Sequence, residues 1–434
     1  MPERFSLFAS FSNAPRLTNP MSATIRYGAG STVEVDLEPQ QLLAACGAPP
    51  AGGSTDPAAA LAAAIAAPLD FPPLAQAVFP CDRVVLAVEE GVPQAAALVE
   101  AVVKALLDAG SEPGDICVLQ AKANAGFSAE ELLKRFPERD GRGIEVVVHD
   151  PKTRDGLSYL AADEAGEPIY INRRLFDADV VLPIGCLRLE SSLGYYGVNG
   201  TLYPAFSDLP TQERFRATGI DPTPEQIARR RHEADEVSWW LGVLMSIQIV
   251  PAAGGSVLHV LAGAPESVHR RGNALCSEAW NCQVPRRAEL VVAAIEGDRG
   301  QQSWENVGRA LAAASRAVTD DGAIALCTEL ADRPGPALRW LGRAKDLPTA
   351  LRHIRKQRTP DAPAANELAQ ALQRVQVYLL SRLDGSVVEE LGVAPVSAAV
   401  EIARLASRHR SCILLANAQF ASPTAAEEAV GQSG

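Results

Sequence analysis

The chain has 434 residues, 47% apolar and 21% charged, the balance of a globular protein long enough for two or three domains. With 40 basic against 52 acidic residues it carries a net charge of −12 and no basic block, which argues against non-specific nucleic-acid binding. No apolar stretch reaches the ~20 residues of a membrane span, and residues 1–17 lack a signal-like apolar core.

Residues 1–80 read as loop-rich, with one strand expected at 31–37 and alanine-rich helical stretches. From residue 83 the pattern becomes regular. A β-branched run at 83–88 reads as a buried strand, and 94–108 follows with helical spacing of Leu98, Val102 and Leu106. Strands are expected at 116–119, 144–149 and 179–184, and Ser128-Ala129-Glu130-Glu131 is a capping box opening a helix to 136. The polar stretch 209–236 covers a surface and then enters a helix. The apolar stretch 237–251, interrupted by Ser238, Ser246 and Gln248, reads as buried helix and strand. A second run begins near 288, with strands at 290–294, 323–327, 375–380 and 412–416 and helices at 304–318, 337–343 and 396–407. Buried strands alternating with amphipathic helices predict two α/β domains with parallel-type sheets and an interdomain cleft. The expected units are 1–270, a smaller 287–420, and a flexible tail at 421–434.

Parallel sheets bind ligands just past the C-terminal ends of their strands. Those positions hold Glu89-Glu90-Gly91-Val92-Pro93, the segment 120–126 with Lys122 and Asn124, His149-Asp150-Pro151, and Gly185 to Glu190 with Arg188. Each also has a plain structural reading as a cap or turn. The stretch Gly194-Tyr195-Tyr196-Gly197-Val198-Asn199-Gly200 reads equally as a ligand loop or a tight turn. His232 and Glu236, four apart on a helix, read as a surface contact, and no metal site is expected. Eight cysteines without a CxxC spacing read as reduced thiols of a cytoplasmic protein.

The order of segments resembles the nickel-pincer lactate racemase family over about 390 residues. It runs through Tyr27-Gly28, His149-Asp150, Ile171-Asn172-Arg173-Arg174, Ala178-Asp179, Gly185, Ala262-Gly263 with His269, Asp321-Gly322-Ala323-Ile324 and Thr328-Glu329. The resemblance implies two α/β domains with the active site between them. It also implies a nickel ion held in a sulfur-rich pyridinium nucleotide linked to a lysine, one histidine on the metal, and two more moving protons.

Those catalytic positions do not carry over. By the same resemblance the loop arginine is Val92, one histidine is Asn124, another is Glu190, and the cofactor lysine is Gly200. The family's second-domain helix start falls on Trp304-Glu305-Asn306-Val307. No lysine occurs between Lys152 and Lys345 and no histidine between His149 and His232, so no local shift restores either. The expectation is a racemase fold that binds a small molecule, a 2-hydroxy acid or similar, without the family cofactor and without nucleic-acid or membrane partners. The alternative is an isomerase with altered acid and base groups. Candidate catalytic residues are Glu89, Lys122 and Glu190. Candidate substrate contacts are Asn124, His149, Arg188, Tyr195, Asn199 and Trp304.

Overall fold

The structure, a computed structural model, describes residues 21–47, 56–122, 127–136, 143–163, 166–218, 223–356 and 358–426. The described chain opens on an antiparallel pair, β1 (Met21–Tyr27) and β2 (Ser31–Leu37). Val33, Val35 and Leu37 of β2 alternate with exposed residues, the period of a half-buried strand. Gly28 turns between β1 and β2 with φ +59°, and a Cβ there would lie 2.2 Å from the Glu329 side chain. Next comes β3 (Leu42–Cys46), then the helices α1 (Pro57–Ala66), capped by Asp56, and α2 (Leu74–Ala77).

The first large sheet is built from β4 (Val84–Val88), β5 (Ile116–Gln120) and β6 (Glu145–Val148), joined through α3 (Ala95–Asp108) and α4 (Ala129–Leu133). The Ser128–Glu131 capping box of α4 is formed. A hairpin of β7 (Leu157–Ala162) and β8 (Pro168–Asn172) leads through α5 (Arg173–Asp177) into β9 (Val180–Cys186). The polar stretch forms α6 (Leu209–Thr218) and α7 (Pro224–Trp240), and the apolar stretch ends in β10 (Ser246–Pro251). An antiparallel edge strand, β11 (Val257–Gly263), and α8 (Pro265–Trp280) complete this half. Strand order is β11-β10-β9-β4-β5-β6. Leu98, Val102 and Leu106 of α3 pack with Cys276 and Trp280 of α8 in one buried cluster.

After β12 (Asn281–Val284), the second sheet starts at β13 (Ala288–Ala294) and continues through α9 (Trp304–Ala317) and β14 (Val318–Cys327). Three helices follow, α10 (Pro336–Arg343), α11 (Leu347–Ile354) and α12 (Ala362–Arg374). Then come β15 (Gln376–Leu380), α13 (Gly385–Glu390), β16 (Ala394–Val396), α14 (Ala399–Arg408), β17 (Cys412–Leu415) and β18 (Ser422–Ala425). Strand order is β16-β15-β14-β13-β17-β3, all parallel.

The mixed α/β, parallel-type architecture agrees with the sequence reading, and four local differences have physical causes. Residues 21–46 hold three strands rather than one. β3 pairs with β17, and β2 packs against α14, so this N-terminal segment joins the second sheet and not the one that follows it. Residues 394–396 extend the sheet as β16, and the helix expected at 396 starts at Ala399. Of the expected tail, 422–425 is a strand paired with β12, while 427–434 lies outside the described residues. Finally, α8 keeps Val268, Leu275, Cys276 and Trp280 in the core of the first sheet, past the residue 270 expected as its limit. Among the described residues no helix is long and apolar enough to cross a membrane.

Candidate functional site

Each sheet has one place where strand order reverses. In the first it lies between β4 and β9, with β5 and β6 on one side and β10 and β11 on the other. Connections leave such a point in opposite directions, so a crevice opens beyond the strand ends. The residues that follow β4 and β9 are Glu89 and Leu187-Arg188. Glu89 and Arg188 border a cleft of about 660 Å³ whose other wall comes from α9 and the start of α12 in the second half. In the second sheet the reversal lies between β13 and β17. It is closed by contacts: Asn417 Nδ2 donates to Gly47 O and Glu296 Oε2, and Gly254 N donates to Asn417 Oδ1.

Glu89 Oε2 accepts the Cys186 amide hydrogen at 2.9 Å, and Thr201 Oγ1 lies 3.5 Å away. Burial raises its pKa above the carboxylate value of 4.5 more than the charges of Arg188 and Arg309 lower it. Arg188 is only 7% exposed, and its Nη1 has no hydrogen-bond partner. Its guanidinium lies over the Phe420 ring, 5.3 Å from the centroid. A buried cationic donor left unsatisfied is costly, and native structures seldom tolerate one without a partner. Arg309, also lining the cleft, by contrast has a partner for each of its three nitrogens. Its Nε donates to Leu193 O at 3.1 Å, Nη1 to Asn306 Oδ1 at 2.9 Å, and Nη2 pairs with Glu305. Sequence reasoning missed Arg309. The available signal was an arginine between Gly308 and Ala310, on the small-residue face of an otherwise alanine-rich helix.

The other expected residues divide into two groups. Lys122 and His149 line the cleft. Lys122 is an exposed lysine ion-paired with Glu90. His149 is buried with both ring nitrogens engaged: Nε2 lies 2.8 Å from Ser207 O, and Nδ1 lies 3.0 Å from Asn172 Nδ2. Those partners fix the neutral ring with its proton on Nε2, and burial lowers its pKa.

Glu190, Tyr195, Asn199 and Trp304 are not part of the cleft wall. Glu190 points to Asn273 Nδ2 at 2.8 Å, Arg231 Nη1 at 3.1 Å and His269 Nε2 at 3.3 Å. Burial pushes its pKa up, but the Asn273 hydrogen bond and the Arg231 and His269 charges hold it below the usual value. Tyr195 is buried with its hydroxyl unpartnered and its pKa raised by burial. Asn199 Nδ2 donates to Asp235 Oδ1 at 2.8 Å, and Trp304 Nε1 to Asp332 O at 2.8 Å. Asn124 lies outside the described residues. His232 and Glu236 form a loose surface pair at 3.8 Å.

These side chains do not fit the nickel-pincer group that the resemblance implies. Gly200 lines the cleft but offers no amine. His149 has no free nitrogen for a metal. Among the described residues no three His, Cys, Asp or Glu side chains are grouped as a metal site.

Two reversal points, one of them open and lined by Arg188, define an α/β protein of two six-stranded sheets with a cleft at the first sheet's crest. Residues 27–213 match the lactate racemase N-terminal domain. A lactate racemase from Thermoanaerobacterium thermosaccharolyticum is 20% identical over 275 residues, which is 59% of this chain and 63% of that protein's length. The solved lactate racemase apoprotein from the same organism superimposes with a TM-score of 0.74 at 18% identity, covering 93% of this chain and 100% of that one. A protein from Thermotoga maritima gives 0.61 at 14% identity, covering 79% and 94%. Residues 27–213 are thus similar in sequence to the lactate racemase N-terminal domain, and the chain shares the fold of the solved apoprotein.

Proposed function

We propose that this chain binds a small organic acid of the 2-hydroxy-acid type in the cleft at Glu89 and Arg188, and that it lacks nickel-pincer racemase chemistry. The observation that carries the reading is the buried, unpartnered Nη1 of Arg188 beside an open cleft. A carboxylate is the ordinary partner of such a guanidinium. The loss of the cofactor is supported by the engaged nitrogens of His149 and by glycine at position 200. A reduced, cytoplasmic setting fits the eight unbonded cysteines.

A second reading, an isomerase with altered acid and base groups, is favoured by Glu89. A carboxyl with a raised pKa at a cleft wall is suited to proton transfer. Lys122 and Glu190 support it less, since each is held in an ion pair.

The experiment is conversion of D- to L-lactate by protein produced together with a cofactor-making pathway, with nickel measured on the same sample. No turnover and no stoichiometric nickel are expected. Loss of one general base alone costs about 100- to 10,000-fold. Stoichiometric nickel with turnover would overturn the reading. Exchange of substrate hydrogen in D₂O that is lost in Glu89→Gln would favour the isomerase.

A further inference from the structure

The cleft is far larger than a three-carbon acid needs. Clefts of roughly 300–1,000 Å³ enclose drug-sized molecules, and this one holds about 660 Å³. It also has a direction. Arg188 follows β9, whereas Val148, His149 and Pro151 lie at the end of β6, and the order β9-β4-β5-β6 separates the two ends by three strand spacings. At about 4.8 Å each, that is roughly 14 Å along the crest.

The two ends differ in chemistry. At the β9 end stands the Arg188 guanidinium with its Nη1 unpartnered, and beside it Arg309, each of whose three nitrogens has a partner. Toward β6 the wall carries an apolar strip of Val148, Pro151, Leu209, Phe215 and Pro363, flanked by Lys152, Gln212 and Glu213. Val148 is 43% exposed although it sits at the end of a sheet strand. The amide of Leu209 donates to Pro151 O at 3.0 Å, which fixes the start of α6 against the β6 exit. The start of α12 closes over the same region, and α6 and α12 touch. Of the charged side chains along the cleft, Glu90 and Lys122 neutralise each other as an ion pair, as Glu305 and Arg309 do.

We infer that the cleft takes a carboxylic acid with an extended apolar body, its carboxylate on Arg188 and its body lying along the crest toward Val148, Pro151 and Leu209. This rests on the proposal that the cleft binds an organic acid, and it adds the size and polarity of that acid. Lactate would satisfy the guanidinium and leave the apolar wall facing water.

The test is isothermal titration of the intact protein with lactate, 2-hydroxyhexanoate, 2-hydroxyoctanoate and 3-phenyllactate, and with the methyl ester of 2-hydroxyoctanoate as the uncharged control. Affinity is expected to rise about fourfold per methylene that is buried. Arg188→Met should remove binding of every acid, the ester should bind weakly, and Leu209→Gln should flatten the series. Equal affinities across the series, all lost in Arg188→Met, would overturn the extended ligand and leave the organic-acid cleft standing. No binding of any acid, or binding indifferent to Arg188→Met, would overturn both. A chain-length gradient that survives in both variants would mark non-specific apolar binding and overturn the inference as well.

Discussion

Glu89 accepts the main-chain hydrogen of Cys186, so the exits of β4 and β9 are tied by a carboxylate at the point where the first sheet's strand order reverses. That contact favours the ionised carboxyl, as does Arg188, yet burial outweighs them and the pKa lies above 4.5. A carboxyl raised in the fold favours the folded state below its ordinary pKa and opposes it as pH rises through the folded value. Glu89→Gln, which keeps an acceptor for Cys186, is therefore expected to be more stable than the parent at pH 8. The difference should close as pH falls toward 4.5. Urea midpoints across that range check the sign; a variant less stable at pH 8 than at pH 5, relative to the parent, would contradict it.

His149 shows the opposite sign. Its neutral ring bridges Ser207 and Asn172, and burial lowers its pKa below 6.5. The stability it supplies is present above pH 6.5 and is lost as pH falls through the folded value. His149→Ala should cost about 2 kcal/mol at pH 7.5, because the Asn172 amide is left without its acceptor. At pH 5 the gap between variant and parent should narrow. An unchanged gap in denaturation experiments at the two pH values would show that the ring is not held neutral.

Gly200 can accept a side chain. A Cβ there would meet the Cβ of Tyr196 at 3.6 Å, an ordinary contact. Gly200→Lys should change stability by less than ~1 kcal/mol. Gly185→Ala is the contrast, since its Cβ would stand 2.1 Å from Thr201 Oγ1 and 2.8 Å from Gln248 Oε1. Overpacking of that kind costs about 1–3 kcal/mol. Thermal melts of the two variants side by side decide whether the glycine of the 194–200 loop reflects lack of room; equal destabilisation would show that it does.

Thiol reactivity should separate the cysteines by burial. Cys81 is exposed and Cys282 partly so, whereas the other six are buried. With a disulfide reagent, the native protein is expected to release one fast equivalent, lost in Cys81→Ser, and eight equivalents once unfolded. Fewer than eight from anaerobically prepared, denatured protein would reveal a bond between two of them.

The central strands were legible because buried parallel strands are continuous apolar runs, as in Val84–Val88 and Ala288–Ala294. β3 was not, since Leu42–Cys46 is short, half-exposed and defined only by its distant partner. β10 was blurred by Ser246 and Gln248, buried polar residues that satisfy one another at 2.9 Å. At the site, Glu89 and Arg188 could be found because they directly follow strands. Tyr195, Asn199 and Trp304 are equally suitable by residue type, but none of the three lines the cleft, and Asn199 and Trp304 donate to Asp235 and Asp332 instead. The Pro360 and Pro363 side of the cleft depends on the second half closing over the first, which no local pattern records.

The placement of β3 has a consequence for how the protein is made. Gly47, at the end of that strand, and Asn417, which hydrogen-bonds to it, are 370 residues apart in the chain. During synthesis the first sheet can close long before the second acquires its last strand, so β3 must wait, unpaired, for almost the whole chain to emerge. A fragment beginning at residue 287 would leave β17 as an uncovered sheet edge, ready to pair with a neighbouring molecule. The two halves are thus not separable in their birth: cutting between them yields a second half that lacks an edge strand.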